Sequence, residues 1–142
     1  MLSGTVSIDA NKQVVSRWTE LWNEKGVGGV DEIFADDFRD EQLAARLGQP
    51  VTLESFKASL QSLMQAMGHA QFEEHELVAE GDQVIVRWTV RGVHQGMLWG
   101  LPPTGKAFAV DGVNIFRVRD GRIVERRSFL DPGGVLGLLE TG

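Results

Sequence analysis

Two long segments in which apolar and polar residues alternate close the chain, Phe108–Val118 and Arg122–Leu130, joined by Asp120-Gly121. A period of two belongs to strands with one buried face. Asp-Gly is a natural two-residue hairpin turn, because both positions must adopt positive φ. An earlier pair repeats the arrangement: Phe72–Ala79 and Gln83–Arg91 flank Glu80-Gly81-Asp82. Val84, Val86, Trp88 and Val90 form one face of that pair. Ile85, Arg87, Thr89 and Arg91 form the other, a mixed surface able to carry a subunit interface. Gly92 to Pro103 reads as a bend or loop, and Leu101-Pro102-Pro103-Thr104-Gly105 leaves strand geometry altogether.

Helical spacing precedes the strands. Residues 1–8 read as a loose arm or an extra edge strand. A helix starts near Asp9 or Asn11 with Val14, Trp18, Leu21 and Trp22 as its apolar stripe, and Lys25-Gly26 with Gly28-Gly29 stop it. A short helix from Val30 to Phe34 follows, and Ala35–Asp40 turns the chain toward the sheet. Thr52 caps a third helix, with Glu54 in its first turn. Leu53, Phe56, Leu60, Leu63, Met64 and Met67 are its apolar face, and Gly68 ends it. Three helices followed by four strands describe an α+β chain in segregated layers, expected as one domain over residues 1–142. The expected shape is a cone: a curved antiparallel sheet with the N-terminal helices packed on its concave side. The space between them would hold a small, mostly apolar ligand bearing carbonyl or hydroxyl groups.

Composition removes several classes of function. The chain has no cysteine, so disulfides, thiolate metal sites and cysteine nucleophiles are excluded. That fits a reducing, cytoplasmic setting. A formal charge of -6, with no basic run beyond Arg126-Arg127, argues against nucleic acid or an anionic membrane as partner. No basic segment leads into an apolar one at the N-terminus, and no stretch approaches the length of a membrane span. The histidines at 69, 75 and 94 lack metal-ligand spacing, so no metal is expected. No Gly-rich phosphate loop and no nucleophile elbow is present, so no nucleotide, cofactor or covalent intermediate is expected.

From Asn11 onward the chain resembles the SnoaL-like polyketide cyclases of the nuclear-transport-factor-2-like superfamily. The residues that carry the resemblance include Leu21-Trp22-Asn23-Glu24-Lys25-Gly26, Phe34-Ala35-Asp36-Asp37-Phe38 and Ala79-Glu80-Gly81-Asp82. Arg91-Gly92-Val93-His94-Gln95-Gly96 and Phe116-Arg117-Val118-Arg119-Asp120-Gly121 continue it. The resemblance implies the cone fold and a small oligomer. It also implies an intramolecular aldol ring closure without metal or cofactor. The family's acid/base aspartate, in a run like His-Arg-Asp-Trp-Pro-Asp, falls at Ser128. Its pocket histidine falls at Asn114, and a substrate-binding asparagine falls at Asp40. A serine hydroxyl is far too weak an acid or base to replace a carboxylate near neutral pH, and an asparagine amide carries no proton.

Candidate site residues follow from both lines. Asp40 is either a solvated acid in the cluster Asp36, Asp37, Asp40 and Glu41, or a pocket carboxylate raised in pKa by apolar surroundings and able to move a proton. Asn114 shares a face with Val110, Gly112, Phe116 and Val118, so its amide either binds ligand or makes an internal bond. His94 is a second acid/base group or a rim histidine. Ser128 shares a face with Arg126, across the hairpin from Asn114. Arg126 pairs with Asp40, holds an anionic ligand group, or leans into water. Trp18, Trp88 and Phe116 are core or ligand platform, and Trp99 with Met97 covers either the pocket or a partner subunit. Glu74 interrupts its strand's apolar face as a pocket acid or an edge marker.

The expected function is a cofactor-independent acid/base enzyme of cyclase, isomerase, dehydratase or hydratase type, acting on a polyketide- or terpenoid-like compound. Asp40 would transfer the proton, with Asn114 and His94 on the developing charge. The alternative is a binding protein using the same pocket, expected like the enzyme as a homodimer through the outer sheet face. A third reading, a partner-binding scaffold, predicts a filled cone and an exposed patch around Met97 and Trp99.

Overall fold

The computed structural model describes residues 7–24 and 28–139. Helix α1 spans Ile8–Asn23, with the Ser7 side chain accepting the Ala10 amide at its start. The cap therefore lies just ahead of the expected Asp9 or Asn11. Asn11, Val14, Val15, Trp18 and Trp22 are its buried stripe. Residues 1–6 of the expected N-terminal arm and the expected stop at Lys25-Gly26 fall outside the described residues. The short helix α2, Val30–Ile33, leads into strand β1, Phe34–Arg39. Helix α3, Glu41–Leu47, follows, then α4, Leu53–Ala66, opened by a reciprocal capping box between Thr52 and Ser55. Strands β2 (Gln71–Glu80), β3 (Gln83–Val93), β4 (Ala107–Arg119) and β5 (Arg122–Leu130) complete the sheet. A one-turn helix, α5, Pro132–Leu136, caps the end.

The sheet order is β1-β5-β4-β3-β2. Four strands form the expected antiparallel meander. The fifth, β1, pairs parallel to β5, so the sheet is mixed. The 34–40 segment hides this strand because its buried residues, Phe34 and Phe38, lie four apart like one helix face, with Asp36 and Asp37 exposed between them. Helix α3 is a further element beyond the three expected helices. It has clear end signals: Asp40 as N-cap, Glu41 in the first turn and Gly48 at φ 74° as stop.

The two hairpin turns obey their turn chemistry. Gly81 has φ 59°, and Asp120 and Gly121 have φ 53° and 78°. On the concave face an edge-to-face aromatic chain fills the narrow part of the cone. Trp18 meets Phe34 at 5.0 Å, Phe34 meets Phe38 at 4.9 Å, and Phe56 leans on both phenylalanines at 5.1 and 5.0 Å. Trp22, Phe72 and Trp88 continue the chain with centroids 5.0 Å apart. Such contacts add to area burial and favour one packing arrangement. Glu74 ties α1 to the sheet, accepting from Ser16 Oγ at 2.9 Å and Thr19 Oγ1 at 2.6 Å.

Candidate functional site: a tryptophan-lined cavity

The remainder of the cone is open. A cavity of about 930 Å³ lies between the concave face of β3–β5 and helices α1, α3, α4 and α5. A filled cone is thereby ruled out. Strand register sets the floor. Trp88 stands opposite Gly112 and Leu130, Val86 opposite Asn114 and Ser128, and Val84 opposite Phe116 and Arg126. These rungs share one face, so Trp88, Asn114, Ser128 and Arg126 sit on neighbouring positions of one surface. Gly112 makes room for the indole: a Cβ there would lie 2.4 Å from Trp88 ring carbons.

Of the residues singled out in the sequence, Trp18, Trp88, Met97, Trp99, Asn114, Phe116, Arg126 and Ser128 line this cavity. Asp40 and His94 do not. Asp40 is fully buried, but both its oxygens are engaged. One accepts the Leu43 amide at 2.9 Å as the N-cap of α3, and the other accepts from Arg126 Nη1 at 2.9 Å. It stands behind Arg126, bordering a separate recess with Arg39 and Glu41. His94 is equally buried and holds a loop together. Its Nδ1 accepts the Thr104 amide at 3.3 Å, and its Nε2 lies 3.2 Å from the Leu101 carbonyl. The donor pattern assigns the proton to Nε2. The loop so pinned carries Trp99, at φ 53° and edge-to-face with Phe108 at 5.4 Å.

Sequence reasoning missed Arg46 and Gln42, both on α3 and both in the cavity wall. Gln42 Oε1 accepts the Ser128 amide at 2.8 Å, satisfying the edge of β5. Arg46 has no ion pair among the described residues. The signal that could have found them is the helix itself, once Asp40 is read as a cap.

The electrostatics of the wall are one-sided. Among the described residues its only ionisable side chains are Arg46 and Arg126; no carboxylate or imidazole borders it. Withdrawal from water lowers the Arg126 pKa from the ordinary arginine value, Asp40 opposes that shift by charge and hydrogen bond, and Arg46 adds to it by repulsion. The guanidinium remains a cation, as arginine does in proteins, and lies 5.8 Å over the Phe56 ring. Two buried polar atoms of wall residues have no partner among the described residues: Trp88 Nε1, a donor, and Asn114 Oδ1, an acceptor. Among the described residues no group of three His, Asp or Glu is placed to hold a metal ion, and no helix is long and apolar enough to cross a membrane.

A mixed, open, curved sheet with helices across its concave face defines the nuclear-transport-factor-2-like α+β class. Within it, the model of the SnoaL-like polyketide cyclase family matches residues 12–137, and the chain belongs to that family. It is 33% identical over 79 residues to the aklanonic acid methyl ester cyclase DnrD of Streptomyces peucetius, covering 55% of this chain and 54% of that one. It is 34% identical over 67 residues to the nogalonic acid methyl ester cyclase of Streptomyces nogalater, covering 47% and 50%. The matched stretch thus spans about half the length of each of these two relatives. The fold of TsrD from Streptomyces laurentii superposes with a TM-score of 0.81 at 22% identity, over 94% of this chain and 97% of that one. IdmH from Streptomyces antibioticus does so with a TM-score of 0.75 at 27% identity, over 91% and 97%.

Proposed function

We propose that this protein is a cyclase-type enzyme that folds a polyketide-like chain inside the tryptophan-lined cavity and closes a ring on it without a cofactor. The observation that carries the reading is the short polar strip of Asn114, Ser128 and Arg126 on the floor of an otherwise apolar hollow. A folded chain bearing carbonyl and hydroxyl groups offers that strip hydrogen-bond partners that the apolar walls do not. In an aldol closure, an enolate carbon is brought onto a ketone carbon and charge passes to the ketone oxygen. The Asn114 side-chain N–H donates to that oxygen. The apolar walls hold the chain in its folded, reactive shape. The proton lost from carbon goes to water at the mouth, since the wall offers no base, and water returns one proton to the new alkoxide, so that the product is an isomer of the substrate.

The test is to incubate the protein with aklanonic acid methyl ester and with its free acid, and to follow the ring-closed isomer by chromatography and NMR. Asn114→Leu is expected to lower kcat about 100-fold, the scale of one lost oxyanion-type contact. No ring closure by the wild type on either compound would sink the reading.

A second reading, a binding protein that performs no chemistry, is favoured by one specific observation. Neither Asp40 nor His94 reaches the cavity, and the family's acid/base position is Ser128. Tight binding of the same compounds without turnover would select it.

A further inference from the structure

We propose that the ligand of this cavity carries a carboxylate, docked between Arg126 and Arg46 at the α3 side of the cavity. The inference rests on the cavity being the ligand site and specifies which compounds enter it. Three observations carry it. First, the wall holds two guanidinium groups and, among the described residues, no acid. Second, Asp40 occupies only Nη1 of Arg126; its Nε and Nη2 have no hydrogen-bond partner among the described residues. Third, Arg46 also has no ion-pair partner there, although the chain as a whole is acidic at -6. One carboxylate against two cations leaves one positive charge uncompensated beside an apolar hollow. A planar carboxylate accepts from a guanidinium fork in the geometry that arginine is built to offer.

The arrangement also explains why Asp40 sits where it does. By holding Nη1 from behind, it fixes the guanidinium over Phe56 with its remaining donors free. Asp40 is thus a positioning residue. Arg46 projects from the exposed face of α3, so its charge is available at the open side of the cavity. An ester would present no negative charge to this pair. The substrate is therefore a free acid, unlike the methyl esters named for the two cyclase relatives.

Isothermal titration of the intact protein with anthraquinone-2-carboxylate and with its methyl ester tests the inference. The acid is expected to bind about 10-fold more tightly than the ester, the ratio that 1.4 kcal/mol represents. Arg46→Gln is expected to weaken the acid more than the ester, and Arg46→Glu to abolish the preference. Arg46 is exposed and unpaired, so these variants are expected to fold. Arg126 is left intact, because removing it would strand Asp40. Equal binding of acid and ester would overturn the inference while leaving the cavity as a ligand site. A preference for acid that survives Arg46→Glu would overturn it equally. Binding of neither compound would overturn both this inference and the proposed function.

Discussion

At the scale of single residues, the molecule turns on what surrounds Asp40. Its complete burial suggests the role of a proton carrier. Its partners give it a different role: it caps α3 and holds Arg126. Asp40→Asn keeps a capping oxygen but strips the charge from a pair whose other member is 21% exposed. We expect a loss of about 2–3 kcal/mol, below the range for fully buried pairs because water still reaches the arginine. The urea midpoint measures it. Turnover per folded molecule should fall less than about 10-fold, since neither oxygen of Asp40 borders the cavity and no transition-state contact is lost. Gly112 gives a second prediction. A Cβ would fall 2.4 Å from the Trp88 ring and 2.8 Å from the Phe129 carbonyl, so Gly112→Ala must displace the indole. Overpacking of this kind costs about 1–3 kcal/mol. A titration should then show weaker ligand binding beside the lower midpoint. Pairwise strand register is readable from alternation, which is why Asn114, Ser128 and Arg126 can be placed on one face. Which partner each polar group takes is not readable, because Asp40 and Arg126 are 86 residues apart and meet only through β1 and β5.

At the scale of elements, α3 is the part that the sequence conceals and the site most needs. It has no buried residue and is seven residues long. It meets β5 through two polar contacts, Asp40 to Arg126 and Gln42 to Ser128. Leu43 and Ala44 are its apolar contacts with the core, and a short helix with so few marks a segment of low local stability. Gln42→Ala should therefore speed amide hydrogen exchange at Ser128 and along α3. Global stability should change by only about 1 kcal/mol, the net worth of one hydrogen bond. Strand β1 escapes detection for the opposite reason. Its two phenylalanines are fully buried in an aromatic cluster, and their spacing of four mimics a helix. The long hairpins are legible because their alternation runs for many residues and their turns need glycine.

At the scale of the molecule, the sheet and its helices leave part of their apolar surface lining a hollow beside the packed core. Filling that hollow should stabilise the whole fold. At a ligand concentration about 100 times Kd the gain is about 2.7 kcal/mol. For a chain of this length that is a rise of about 5–10 °C in Tm, measurable by scanning calorimetry. The cone and its helical cover are legible from element order. Whether the cone is open is not, because core and lining residues look alike in sequence. One consequence of that lining is practical. The chain has four tryptophans and no tyrosine, and Trp18, Trp22, Trp88 and Trp99 all border the cavity. Ultraviolet light at the long-wavelength edge of protein absorption is thus taken up solely by rings touching the ligand chamber. The protein carries a built-in optical gauge of occupancy, and its intrinsic emission can report the arrival of a guest without any attached dye.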